Sequence, residues 1–142
     1  MLLLTLALAC SGGDTGEPVD ENEGACGDAS EHDVTLVVKV VDGLSGDPLE
    51  GIEVVVDDRG WTYEDLATGT TGADGTATLD VRGVTDLPDC WGTVLDYVLE
   101  VSDPTGFFAE AEEDLNSALY NGIHEWGGEA DLTASPVELE PA

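Results

Sequence analysis

The sequence predicts an all-β protein, a sandwich of six to eight strands with at most one short helix. Three observations lead there. Five apolar, β-branched runs follow one another at short spacing. Gly, Asp, Ser and Pro, the residues that make tight turns, fill the intervals between them. Two of the runs alternate apolar and polar residues with the period of a half-buried strand.

In chain order, VTLVVKVVD (34–42) is apolar apart from Lys39 and is bounded by Asp33 and Asp42-Gly43, as suits a buried strand. GLSGDPLEG supplies the next turn. In IEVVVDD (52–58), Ile52, Val54 and Val56 share one face, opposite Glu53, Val55 and Asp57. Arg59-Gly60 turns into WTYEDLATGT, a weaker third strand. TGADG (71–75) is a tight turn whose Asp74-Gly75 suits positive φ. It leads into TATLDV (76–81), where Ala77, Leu79 and Val81 alternate with Thr76, Thr78 and Asp80. GVTDLPDCWG reads as a loop and VLDYVLEVS as the fifth strand. AEAEEDLNSALYNG (109–122) spaces Ala111, Leu115, Ala118 and Leu119 for a short helix near 109–120, stopped by Asn121-Gly122. A strand continued through 107–111 is the rival reading. ADLTASPVEL closes with one or two edge strands, since Pro136 cannot donate to a central ladder.

The 142 residues suffice for one domain with a core, plus a tether. They carry 32 acidic residues against three basic ones, Lys39, Arg59 and Arg82, for a formal charge of -29. Such a surface repels phosphate backbones and anionic headgroups, which excludes nucleic acid as a partner and basic-residue binding to membranes. The acids are spread over every segment, the pattern of a solubilising surface. Carboxylates are also hard oxygen ligands, so calcium binding by the acidic loops is the alternative.

Residues 1–9 (MLLLTLALA) are uncharged, too short to span a bilayer and suited to the apolar part of a signal peptide. Ala7-Leu8-Ala9 before Cys10 resembles a bacterial lipobox, in which the cysteine receives lipid and becomes the mature N-terminus. Ala7-x-Ala9 would equally serve an ordinary signal peptidase. No basic residue precedes the run, which places the expected translation start upstream. Residues 10–33, poor in large apolar side chains, form an acidic flexible linker, and 34–142 form the sandwich. Lipid on Cys10 leaves Cys26 and Cys90 as an even pair in an oxidising compartment. In an up-and-down trace, strand one starts and strand four ends at the same pole, within reach of both cysteines. A Cys26–Cys90 disulfide is therefore expected, the alternatives being two free thiols or a bridge between molecules.

VKVVDGLSGDPLEGIEVVV followed by TTGADGTATLDV resembles the carboxypeptidase regulatory-like domain, a transthyretin-like or Ig-like β-sandwich found in bacterial exported proteins. The matching positions are Val40, Asp42, Gly46, Pro48, Leu49, Gly51, Ile52 and Val54, then Thr71, Asp74, Gly75 and Leu79. Tyr97 to Ser102 with Asp103 to Phe107 is similar to the family's later strand and its Gly-aromatic turn. The likeness covers about half the chain and implies a non-enzymatic module; Trp91 and the chain from Phe108 onward depart from it.

Catalytic and metal constellations do not assemble from the sequence. An iron site of two Tyr and two His needs its histidines in close order, and His32 falls in the linker, far from His124. His124-Glu125 starts a zinc-protease motif that Gly128 breaks. Gly43-Leu44-Ser45-Gly46-Asp47 lacks the last glycine of a nucleophile elbow. DPTGFFAEAEED (103–114) has the length of a calcium loop but puts Phe108 where glycine is required. Trp61, Trp91 and Trp126 could stack on sugars, though core and rim packing is the commoner use of aromatic residues in a small sandwich. His124 beside Trp126 reads as a loop packing pair. The expected function is a lipid-anchored cell-envelope protein on the outer membrane or cell surface, with the sandwich as a structural or interaction module. No catalytic residue, cofactor or metal is expected. The membrane is met through the lipid, a protein or glycan is the expected partner, and the oligomeric state is open. A calcium- or carbohydrate-binding accessory domain is the alternative.

Overall fold

A computed structural model describes residues 26–142. Cys10, the apolar run before it and most of the acidic segment lie outside the described residues. Two four-stranded sheets face each other, as the sandwich expectation requires. The strands are β1 (Ser30–Asp42), β2 (Glu53–Asp58), β3 (Asp65–Thr70), β4 (Thr76–Asp86), β5 (Tyr97–Ser102), β6 (Ala111–Asp114), β7 (Glu129–Asp131) and β8 (Val137–Leu139). One helix, α1 (Asn116–His124), lies between β6 and β7. In the first sheet β1 pairs antiparallel with β4, while its other edge takes β7 along Thr35–Val37 and β8 along Val40–Asp42, both parallel. The second sheet runs β3-β2-β5-β6, antiparallel throughout.

Alternation decides which side chains meet between the sheets. Val34, Leu36, Val38 and Val40 of β1, Ala77, Leu79 and Val81 of β4, Val54 and Val56 of β2, and Leu99 and Val101 of β5 are all buried. The family-like turn motifs interlock. Gly75 has φ +78°, and a Cβ there would lie 2.7 Å from Val40 O and 2.9 Å from Pro48 Cβ. Thr71, itself buried, donates its hydroxyl to Leu49 O (2.6 Å) and accepts Ile52 N–H (2.9 Å). The proline turn and the Asp-Gly turn thus form one unit at one pole.

Three local expectations are corrected. β1 begins at Ser30, not Val34, and β4 runs to Asp86, not Val81. A bulge hides the continuation: Arg82-Gly83 oppose Asp33 alone between the pairs Val34↔Val81 and His32↔Val84. Gly83 takes φ +73° there and donates its N–H to the Asp33 carboxylate (3.2 Å). The extra residue restarts the alternation, so Val84 points inward in a stretch that reads as loop. Residues 111–114 form strand β6 rather than helix, because Glu112 faces Arg59 and Glu100 across the sheet and that pairing outweighs the helical spacing. The helix starts at Asn116 and passes through Asn121-Gly122 to His124. Gly122 is a contact residue, not a stop: a Cβ there would sit 3.1 Å from Val34 Cγ1, so glycine lets α1 lie close on β1.

Candidate functional site

The chain brings its unusual chemistry to one pole of the sandwich. Because Ser30 pairs with Asp86, the segments entering β1 and leaving β4 run side by side. Cys26 lies four residues before that pair and Cys90 four after it, and the two form the expected disulfide. Cys26 is fully buried, and its carbonyl accepts Asp89 N–H (3.0 Å).

Beside the disulfide, the carboxylate of Asp86 is buried at the end of β4. An indole N–H can only donate, so Asp86 Oδ1 accepts Trp91 Nε1–H (2.7 Å). The second oxygen takes Nε2–H of His124, at the last turn of α1 (2.8 Å). Tyr120, one helical turn before His124, packs its ring 4.5 Å from the imidazole and 5.7 Å from the Trp91 indole. His124 therefore packs on Tyr120 and Asp86, and Trp126, its expected packing partner, stands exposed on the following turn. His32, expected in a linker, sits on β1 with its ring 6.4 Å from that of His124 and its Nε2 2.9 Å from Ser30 Oγ. The serine and the aspartate thus address different imidazoles, so among the described residues these side chains form no Ser-His-Asp relay.

Deeper in, Tyr97 of β5 reaches across to β4. Its hydroxyl accepts Thr85 N–H and donates to Thr85 O, both at 2.9 Å. The phenol supplies the partners that a further strand would give this edge. Burial, with Asp58 and Asp86 nearby, pushes its ionisation well above the ordinary tyrosine range.

A second buried carboxylate builds the neighbouring loop. Asp58, 1% exposed, accepts the N–H groups of Gly60 (3.1 Å), Trp61 (2.9 Å) and Thr62 (3.0 Å) and the Thr62 hydroxyl (2.9 Å). The clamped loop leaves Tyr63 exposed at φ +60°, with Trp61 partly exposed beside it. Trp91, by contrast, packs against the core.

The three carboxylates that could meet a cation, Asp57, Asp65 and Glu100, belong to a different arrangement. Arg59 bonds Asp57 (2.9 Å), Glu100 (2.7 Å) and Glu112 (2.7 Å) on the outer face of the second sheet, so a guanidinium already holds the position. Bonding to Arg59 keeps Glu112 below the usual carboxylate range. The acids of the turns are engaged as well. Asp74 accepts from Thr76, Asp103 from Thr105, Phe107 and Phe108, and Asp131 from Thr133. These donors hold all three carboxyls below the usual carboxylate range. The groove between β2, β5 and β6 encloses about 430 Å³ and is walled by Glu53, Glu100, Glu110 and Glu112.

Among the described residues no helix is long and apolar enough to cross a membrane. Sequence reasoning missed Asp58, Asp86, Tyr97 and Arg59 as organising residues. The Asp58-x-Gly60 spacing carries a turn signal, whereas Asp86 and Tyr97 leave no local trace.

No family model matches the chain, and no curated protein does. Among solved structures it is similar to the shaft pilin SpaA of Lactobacillus rhamnosus GG. A double mutant of that pilin shares 15% identity over 79% of this chain and 51% of its own, with a TM-score of 0.41. The unmutated pilin gives 17% identity, 79% and 48% coverage, and a TM-score of 0.38. The chain spans about half the length of that pilin. The all-β sandwich assignment rests on the strands described above.

Proposed function

We propose that the protein is a non-enzymatic, lipid-anchored component of the cell envelope, exposed on the outer membrane or cell surface, whose carboxypeptidase regulatory-like sandwich acts as a structural or interaction module. One observation carries the reading: the Cys26–Cys90 disulfide pins the chain just before β1. Such a bond suits an exported, oxidising setting. It also means that a pull on a tether attached at Cys10 is borne by a covalent bond and not by the first pairs of the β1–β4 ladder. The buried polar groups fit this reading, since Asp58, Asp86 and Tyr97 each have their hydrogen bonds taken up by the fold. The test is fractionation of cells producing the protein with its natural leader. Lipidated protein partitions with membranes, and Cys10→Ala releases it to the soluble fraction. Persistence of that variant in detergent-free membranes refutes the anchor.

A second reading, glycan binding by an accessory domain, has its own observation in Trp61 and Tyr63, held outward on the loop that Asp58 clamps. Saturable quenching of tryptophan fluorescence by oligosaccharides, lost in Trp61→Ala, would support it; unchanged fluorescence across a panel of cell-wall and exopolysaccharide fragments would remove it.

A further inference from the structure

We propose that His32 and His124 together bind one first-row transition ion, Zn²⁺ or, more tightly, Cu²⁺. They are the two histidines of the chain, carried on β1 and at the end of α1, and the fold places their ring centres 6.4 Å apart. Two features of the fold produce the approach. The glycine at 122 lets α1 lie against Val34, two residues from His32. The bulge at Asp33 lets β1 pair on past Val34, so that His32 lies opposite Val84 in the ladder.

The hydrogen bonds decide which nitrogens are available. With Nε2–H of His124 given to the buried Asp86 carboxylate, the lone pair of that ring is on Nδ1. Nε2 of His32 is likewise engaged, by Ser30 Oγ. Among the described residues neither Nδ1 has a hydrogen-bond partner. A carboxylate behind one ring nitrogen is the support that metal-ligating histidines use, because it fixes the tautomer and raises the basicity of the other nitrogen. The Ser30 hydroxyl, which can accept as well as donate, lets His32 take the same tautomer when an ion meets its Nδ1. Here Asp86 is itself held by the Trp91 indole, so the orienting group is rigid.

Distance fits one ion between the rings. An imidazole bound at about 2.0–2.1 Å puts its centre roughly 3.2 Å from the metal, so two rings on one ion are separated by roughly 5–6.5 Å depending on the ligand angle. The observed 6.4 Å is the separation of two rings in line with one ion. Tetrahedral ligation at roughly 5 Å requires the rings to close by about 1 Å on binding, a movement that falls to His32, whose support is an exposed serine. The His124 side chain is about a third exposed, which admits an ion from solvent and leaves its remaining positions to water. Imidazole donors select Zn²⁺ and Cu²⁺ over Ca²⁺ and Mg²⁺, and the order of stability puts Cu²⁺ first. The net charge of -29 raises the local concentration of any cation.

The test uses the full chain with Cys10 alkylated, since a thiolate competes for soft ions, and with millimolar Mg²⁺ present to occupy surface carboxylates. Zn²⁺ is titrated while the imidazole resonances are followed by NMR. Both histidines shift together and saturate at one equivalent. In calorimetry, His32→Gln and His124→Gln each weaken Zn²⁺ binding by about tenfold or more. Imidazoles that respond at different Zn²⁺ concentrations, or a single-histidine variant that binds Zn²⁺ as the parent does, overturn the proposal.

Discussion

The substitution Tyr97→Phe isolates one hydroxyl whose loss should be costly. The ring stays, keeping its packing 5.4 Å from Trp91, so the change removes the oxygen alone. That oxygen satisfies both backbone groups of Thr85, which is 4% exposed on β4, an edge strand of its sheet. Without it a buried N–H and a buried C=O lose their partners together. Leaving one buried polar group unsatisfied costs about 1–3 kcal/mol, so the pair costs about 2–4 kcal/mol once partial relaxation is allowed. In urea, at a slope of about 2 kcal/mol per molar, the midpoint falls by roughly 1–2 M with the slope unchanged. The hydroxyl also predicts an alkaline signature. Its folded-state ionisation lies above the unfolded value of 10.0, so the native state holds its proton longer. The associated stability is present below pH 10 and is lost as pH rises beyond it, by at most about 1.4 kcal/mol per pH unit. The phenylalanine variant lacks that slope. A stability within about 0.5 kcal/mol of the parent, or an unchanged alkaline slope, refutes the reasoning.

The remaining predictions are independent of that hydroxyl. Reducing the Cys26–Cys90 bond reopens a loop with a sequence separation of 64; by the chain-entropy estimate stability drops by about 4 kcal/mol. Denatured, unreduced protein should show neither of these thiols to an alkylating reagent by intact mass, and alkylation of both refutes the bond. Tyr63→Gly should raise stability by up to about 1 kcal/mol, because an exposed side chain at φ +60° carries strain that glycine lacks; a lower melting temperature would mean that the ring makes contacts its exposure denies. Arg59→Gln leaves Asp57, Glu100 and Glu112 facing one another uncompensated, so its melting temperature should fall most at low ionic strength and recover with salt. Asp74, Asp103 and Asp131 ionise at lower pH in the fold than in the unfolded chain. Their contribution is therefore present above pH about 4 and lost as pH falls through the folded values. A triple variant, Asp74→Asn with Asp103→Asn and Asp131→Asn, should show a shallower acid transition by circular dichroism.

Most of the fold was legible because strands announce themselves locally. Alternation named the buried faces of β2 and β4 residue by residue, and Val54, Val56, Ala77, Leu79 and Val81 are all buried. The disulfide was legible for a topological reason, since adjacent antiparallel strands put one start and one end together. What stayed hidden depended on neighbours distant in sequence. The bulge at Asp33 changes parity in the middle of a strand, and only the partner's register reveals it. Residues 111–114 have the spacing of a helix and the structure of a strand, because Arg59, far back in the chain, supplies the charge that Glu112 faces. Gly122 has the composition of a stop signal, yet it is a contact with Val34.

The acidic composition reads as a solubilising surface, and the structure shows how such a chain folds against its own repulsion. Carboxylates at turns are taken up by local donors: Asp42, Asp74, Asp103 and Asp131 each accept backbone N–H groups a few residues ahead. The two buried ones, Asp58 and Asp86, accept several donors each and organise a loop and a pole. One arginine serves three carboxylates on the crowded outer face. An aspartate is a useful residue for this purpose because it is short enough to bond the backbone beside it. A glutamate is not, and the glutamates of the sheet are left to Arg59 and to water. Charge of one sign and a unique fold are therefore compatible where each acid buried near the core is met by its own donors. The same logic places His124 where it is: the buried Asp86 needs a second donor, and the imidazole that supplies it is thereby fixed beside His32.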